Sequence, residues 1–316
     1  VDVLGTDSFQ EVDLVGVSQP ISKWSYQIRR AEDVAWAVSR AFYIARSGRP
    51  GPVVLDFPKN AQVSLTEYEP CRVDFVRGYV PYPTVDAEAV SRAAELINNA
   101  KKPLALVGHG VELGNAQQEL VDFIEKAGIP AARTMLGLSA LPTGHPLNMG
   151  MLGMHGNYAP NMKEQECDVL IGMRFSDRVI CNPATYAKQA KIIQLDIDGA
   201  EIDKNVKTDV AVVADCKESL PAITKLLRPN SHKEWCESFR PLYEEEYEKV
   251  IRPATCPSSG PLLMGEVVKA VADATGGDAV LVNDVGQNQM FSCRYFRYNK
   301  KRSVVSSGGL GTMGYG

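Results

Sequence analysis

The stretch DAEAVSRAAELINNAKKPLALVGHGVE, Asp86–Glu112, sets the fold class. Asp86 is a natural N-cap, and the apolar residues behind it recur at helical spacing, which predicts a helix to about Asn98. Pro103–Val107 is a short apolar run bounded by a turn signal, so a buried strand is expected there. Gly108-His109-Gly110 then turns the chain out of the strand toward a second helix near Gln117–Ala127. The same alternation continues downstream. Strands are expected at Ile129–Met135, Cys167–Met173, Lys191–Asp198 and Asp209–Asp215, with a closing helix over Cys216–Leu227. Strands alternating with helices predict an α/β fold with a doubly wound parallel sheet, and a ligand at the carboxyl ends of its strands.

Working outward, Ala31–Gly48 carries another helical pattern that Gly48 would close. A tight Arg49-Pro50-Gly51-Pro52 turn leads into a strand over Val53–Phe57. Thr66–Asp86 has no period and three prolines, and reads as a linker. On the other side, Arg228–Gly260 is charged and reads as a solvated helix plus a second linker. A third α/β segment follows: a helix to Thr275, a strand over Ala279–Gly286, a helix from Gln287 and a strand over Arg302–Ser307. The opening without an initiator methionine and the ending in a glycine-rich turn suggest an internal piece of a longer polypeptide.

Length alone, 316 residues, suggests about two domains. The net charge of −4 and pI of about 5.7 give no basic face for nucleic acid. No run reaches the length of a membrane span, and Val1–Gly5 lacks the charged start and apolar core of a signal peptide. The seven cysteines are scattered and never in a C-x-x-C pair, which suits reduced thiols in a cytoplasmic protein. The four histidines have no metal-ligand spacing, so no metal site is expected within the chain.

Chemistry gathers at the expected strand ends. The two glycines of Val107–Gly110 could present backbone amides to a phosphate at a helix N-terminus, although a plain turn fits them equally. In QLDID, Asp198 is placed to cap the next helix, which leaves Asp196 as the candidate for ribose hydroxyls. GMRFSDRV, Gly172–Val179, sets two arginines four apart around Asp177; arginine is the usual bidentate partner of phosphate and carboxylate. GMLGMHG, Gly150–Gly156, combines bare backbone with adaptable methionines, a combination suited to a flat cofactor edge. In SSGGLGTMGYG, Met313 stands as an apolar wedge among five glycines.

Seven motifs occur in order: GTDSFQEVDLVG, SGRPGPVVLDFPK, GMLGMHG, RFSDRV, DIDGAEIDKN, DVGQNQM and SGGLGTMGYG. Together they resemble the catalytic large subunit of acetolactate synthase (acetohydroxyacid synthase), a thiamine-diphosphate-dependent transferase and flavoprotein. The resemblance implies three domains of which the outer two are incomplete here. Residues 1–80 would end the pyrimidine-binding domain, 84–230 would form the central FAD-binding, Rossmann-like domain, and 261–316 would begin the pyrophosphate-binding domain.

It further implies thiamine diphosphate, Mg²⁺ and FAD as cofactors. FAD would be met by Arg49, Gly108, His109, Gly110, Thr134, Met135, His155, Gly172, Arg174, Arg178, Val179, Asp196, Ile197 and Asp215. Thiamine diphosphate would be met by Val285, Gly286, Gln287, Gly311 and Met313. Arg178 would also bind the carboxylate of the second 2-keto acid, Met154 would face substrate, and Gln10 (with Phe9) and Lys59 would border the substrate channel. The activating glutamate would precede residue 1, and the Mg²⁺ ligands would follow residue 316, so the piece alone would be inactive. Asn288, Phe291 and Gly199 depart from the family pattern, and the segment before Arg174 is two residues short of it.

The implied reaction is the decarboxylating condensation of pyruvate with pyruvate or 2-ketobutyrate in branched-chain amino-acid biosynthesis. A cytoplasmic homodimer or homotetramer, with a regulatory small subunit as a further partner, goes with it. The alternatives are another thiamine-diphosphate carboligase or decarboxylase, or a non-catalytic FAD- or nucleotide-binding fragment.

Overall fold

The structure is a computed structural model that describes residues 5–316. Residues 1–4, on which the reading of the chain's opening rests, and the side chain of Asp177 lie outside the described part. The chain divides between Pro83 and Thr84 into two compact units.

In the first unit, strands β1 (Trp24–Gln27) and β2 (Val53–Asp56) pair in parallel beside a helix over Val34–Arg46. Ser47 ends that helix, and Gly48 follows with φ +58°, a left-handed turn that glycine adopts without strain. The Lys23 ammonium fastens the helix end and the turn. It donates to the carbonyls of Ile44 (2.6 Å), Ser47 (2.7 Å) and Arg49 (2.9 Å) and to the Tyr79 hydroxyl (2.9 Å). Residues 65–85 contain no helix or strand, as their sequence suggests, yet they are not all free, since Tyr79 also donates to the Ser47 carbonyl at 3.0 Å.

The second unit is built on a six-stranded sheet. Its strands are β3 (Pro103–Val107), β4 (Ala131–Arg133), β5 (Asn148–Met151), β6 (Val169–Gly172), β7 (Lys191–Asp196) and β8 (Val210–Val213). They lie in the order β5-β4-β3-β6-β7-β8, and every pair is parallel. From β3 the chain winds one way through β4 and β5, then returns beside β3 and winds the other way. All six carboxyl ends therefore share one edge, and the direction reverses between β3 and β6.

Strand side chains alternate between the two faces, as a period of two requires. Ala105, Val107, Ile171, Ile193, Leu195 and Val212 bury against the helices over Ala87–Asn99, Gln117–Ala127 and Cys216–Leu226. Leu104, Leu106, Ala132, Leu170 and Ile192 bury on the opposite face, against Phe175, Tyr186, Trp235 and Phe239. Asp86 caps the first helix through the Glu88 N–H at 2.9 Å, as expected.

Two expectations need correction. Arg228–Gly260 is not merely a solvated helix and linker. It forms helices over Lys233–Glu237 and Arg240–Glu246, a π-helical turn over Tyr247–Ile251 and a further turn to Thr255. Trp235 and Phe239, one helical turn apart, enter the core; Phe239 is fully buried, and the Trp235 indole donates to the Pro103 carbonyl at 2.8 Å. The second correction is β5, where the sequence suggests only a loop. Gly150 takes φ +87° inside it and its register against β4 is irregular, which hides it from pattern reading.

The last segment contributes a helix over Met264–Thr275, the parallel pair β9 (Leu281–Asn283) and β10 (Val304–Ser306), and a helix over Gln287–Tyr295. Its apolar side, Val268, Ala272, Cys293, Phe296 and Tyr298, packs on Leu138 and Met151 of the central unit.

Candidate functional site

At the reversal point the turns after β3 and β6 touch. A Cβ on Gly108 would collide with the Met173 carbonyl, and one on Gly137 with the Val107 carbonyl. Glycine is required at both by close backbone approach. The Thr134 N–H continues the ladder to the Val107 carbonyl at 2.9 Å, and His109 Nδ1 lies 2.9 Å from the Leu136 carbonyl. The helix directly after this turn is a single turn, Gly110–Leu113, and the longer helix begins only at Gln117. The turn therefore precedes a single helical turn and not an extended helix.

The loops after β5 and β6 also meet. The Met154 N–H donates to the Arg178 carbonyl at 3.2 Å, and a Cβ on Gly153 (φ +110°) would stand 3.1 Å from the same oxygen. Met154 is 58% exposed on this edge, His155 is half-buried, Arg178 is exposed and Val179 is buried beneath. Arg174 holds φ +80°, a strained value for a side-chain-bearing residue. Its Nε lies 3.8 Å from Glu201 Oε2, too far for a hydrogen bond. A Cβ on Gly172 would strike the Phe175 ring, so this glycine packs against the loop's own aromatic ring.

At the far side, Asp196 is buried at 7% exposure and takes the Asp198 N–H at 3.0 Å. Asp198 caps the short 3-10 turn over Gly199–Glu201 through the Ala200 N–H, as expected. Asp215 caps the helix over Cys216–Leu226 through the Lys217 N–H at 2.8 Å. Burial, with Asp215 and Asp196 nearby, pushes the Cys216 thiol up to about 12, so it stays protonated. Gly108, His109, Gly110, Thr134, Met135, Met154, His155, Arg174, Arg178, Val179, Asp196, Ile197 and Asp215 thus lie at or just beyond the carboxyl ends of one sheet.

A second group forms beyond β9. Gly286 takes φ +102° and ψ −149°, and nothing lies within 4 Å of where its Cβ would be. This bare backbone opens the nine-residue helix Gln287–Tyr295. Asp284, which the sequence reading did not single out, ties this turn to the glycine tail. Its carboxylate accepts from the Val285 N–H at 2.7 Å and the Gly314 N–H at 2.8 Å, bonds that lower its pKa. Val285 is half-buried, Gly311 takes φ +62° and Met313 is 83% exposed. A Cβ on Gly308 would stand 3.0 Å from Leu136 and Met135, so the glycine tail abuts the loop after β4. Asn288, where the family pattern differs, donates to the Val285 carbonyl at 3.3 Å.

In the first unit Gln10 is exposed with φ +63°, Lys59 is exposed at the start of the short helix Lys59–Val63, and Arg49 is half-buried. Among the described residues no three His, Cys, Asp or Glu side chains group as a metal site, and no helix is long and apolar enough to cross a membrane.

A parallel sheet that reverses direction under glycine turns, with a second strand–glycine–helix unit, defines a doubly wound α/β class of protein. Comparison with known families makes this specific. Residues 90–223 match the central domain of thiamine pyrophosphate enzymes, and residues 284–316 match their C-terminal TPP binding domain. The second unit thus resembles the central domain and part of the C-terminal domain of thiamine pyrophosphate enzymes. Among curated proteins, 99% of it aligns with the acetolactate synthase large subunit of Lactococcus lactis at 39% identity, covering 54% of that protein. Acetolactate synthase isozyme 1 large subunit of Escherichia coli matches at 39% identity, with 99% of the chain and 55% of the relative covered. A probable acetolactate synthase large subunit of Methanocaldococcus jannaschii matches at 38% identity, with the same two shares. The chain spans about half the length of the curated relatives it matches.

Proposed function

We propose that this chain is part of an acetolactate synthase large subunit that condenses pyruvate with a second 2-keto acid, releasing carbon dioxide. In this reading residues 84–230 hold FAD, and residues 1–80 and 261–316 are parts of the two thiamine-diphosphate domains. The observation that carries it is the meeting of the loops after β5 and β6, where Met154 bonds the Arg178 carbonyl on an exposed edge.

The residues fit the two organic cofactors. Asp196 ends β7 and the Gly150–Gly156 loop leaves β5, four strands away in the sheet. At about 4.8 Å per strand that is about 19 Å, the reach of an extended dinucleotide and more than a mononucleotide spans. The open, left-handed Gly286 backbone at a helix start suits a diphosphate. Thiamine diphosphate, when bound, supplies the electron sink for decarboxylation. Asp196 would hold a ribose hydroxyl, and Arg174 with the turn after β3 would hold phosphate oxygens. His155 would flank the flavin, and Val285, Gly286, Gln287, Gly311 and Met313 would seat thiamine diphosphate. Arg178 would present a planar fork to the acceptor's carboxylate and so favour keto acids over aldehydes. Met154 would line the substrate path and exclude water.

Mg²⁺, a cytoplasmic homodimer or homotetramer, and a regulatory small subunit complete the proposal. The test is to assay the intact protein for acetolactate from pyruvate with thiamine diphosphate, Mg²⁺ and FAD, and to record its visible spectrum. Retained flavin and acetolactate, with the Michaelis constant for the acceptor raised about tenfold or more in Arg178→Lys, support the reading. Retained flavin without turnover would leave a nucleotide-binding protein instead, and turnover without flavin a different thiamine-diphosphate carboligase.

A further inference from the structure

Glu246 ends the helix over Arg240–Glu246, just before the π-helical turn, and its side chain is 1% exposed. Three donors from two other parts of the second unit converge on its carboxylate. Oε2 accepts the Tyr158 N–H at 2.9 Å, Oε1 accepts Asn157 Nδ2 at 3.3 Å, and the Arg294 guanidinium closes on Oε1. Asn157 and Tyr158 end the Gly150–Gly156 loop, whereas Arg294 lies on the helix that starts at Gly286. A buried carboxylate needs such partners, because an unpaired charge there is strongly disfavoured.

The bonds continue into the loop. Asn157 Oδ1 accepts the Met151 N–H at 2.9 Å, and the Asn157 N–H donates to the Met151 carbonyl at 2.7 Å. Asn161 repeats this further on: its Oδ1 accepts the Gly153 N–H at 3.0 Å, and its Nδ2 donates to the Gly153 carbonyl at 3.2 Å. A loop of three glycines thus has its backbone fixed by two asparagines, and Glu246 orients the first of them. Glycine-rich backbone has the most conformational freedom to lose, so this external bracing decides its shape.

We propose that Glu246 is a positioning residue that sets the conformation of the 150–158 loop and locks it to the helix behind the Gly286 turn. The flavin edge and the thiamine-diphosphate turn are then held in one register by a side chain that touches neither. This second statement rests on the proposed function; the bracing of the loop does not.

The test compares the intact protein with Glu246→Gln, which keeps one acceptor, and with the double variant Glu246→Met/Arg294→Met, which leaves no lone buried charge. Hydrogen exchange at the Met151, Gly153 and Tyr158 amides should quicken about tenfold in the double variant and less in Glu246→Gln, the scale of one lost charge-assisted hydrogen bond. FAD affinity should fall by a similar factor while ADP affinity, which does not involve the loop, stays within about twofold. Unchanged exchange at these amides would overturn the proposal, as would a parallel fall in FAD and ADP affinity, which marks general loosening. A wild-type protein that binds no FAD would remove the flavin half and the function reading with it, and the exchange result would still decide the bracing.

Discussion

Replacing Glu164 by Gln should stabilise the protein, and more so as pH rises. Glu164 ends the helix over Tyr158–Glu164 and is 4% exposed on the Trp235 face of the sheet. Its Oε1 accepts only Gln165 Nε2, at 3.2 Å, among the hydrogen bonds described, and no cation pairs with it there. Burial therefore pushes its carboxyl up from 4.5 to about 7, and the Gln165 bond offsets this only partly. For a group raised in the folded state, its stabilising contribution is complete below the unfolded value and is lost as pH rises through the folded one. With those two values the destabilisation rises from about 1 kcal/mol at pH 5.5 to about 3 kcal/mol at pH 8.5. Glutamine imitates the protonated acid in shape and keeps the acceptor for Gln165. Its advantage should therefore grow by about 2 kcal/mol between the two pH values. Urea unfolding of both proteins at intervals across this range measures it, provided the slopes agree. A stability difference that is the same at pH 5.5 and 8.5 would show that Glu164 is not held neutral by burial.

Three further outcomes follow from the packing. Gly108→Ala should cost more than about 3 kcal/mol, because the new Cβ meets the Met173 backbone and not a side chain that can move; thermal unfolding and flavin retention check it together. Trp235→Ala should cost about 3–5 kcal/mol through cavity formation, with a further loss from the orphaned Pro103 carbonyl, read by urea unfolding. Of the seven cysteines, exposed Cys71, Cys181 and Cys256 should react quickly with a thiol reagent. Buried Cys167, Cys216 and Cys293, all with raised pKa values, should react only on unfolding, so a count of three fast thiols is expected, with half-buried Cys236 slower.

The parallel sheet is legible because its strands, buried on both faces, are short apolar runs between helical patterns, as at Pro103–Val107 and Gln117–Ala127. The gathering of the candidate residues at the strand ends is legible because glycine, acid and arginine follow the apolar runs directly. β5 is not legible, since it is only four residues long, carries Gly150 at φ +87° and pairs with β4 in an irregular register. The burial of Trp235 and Phe239 was open to view: their spacing by four is a helical stripe, masked by the surrounding glutamates. Glu246 offers no such signal. In EEEYEK it looks like Glu244 and Glu245, and only the fold brings Asn157 and Arg294 to it. Asp284 is a similar case, since its partner Gly314 lies thirty residues away in sequence.

β5 lies at the rim of the sheet, where a strand ordinarily leaves amide and carbonyl groups open to any passing strand. At Met151 both outward groups are taken by Asn157, the N–H by the side-chain oxygen and the carbonyl by the main-chain N–H. The asparagine acts as a one-residue stopper on the ladder. The sheet cannot be extended there by a second molecule without first displacing it, so the turn that braces the glycine loop also guards the protein against edge-to-edge aggregation.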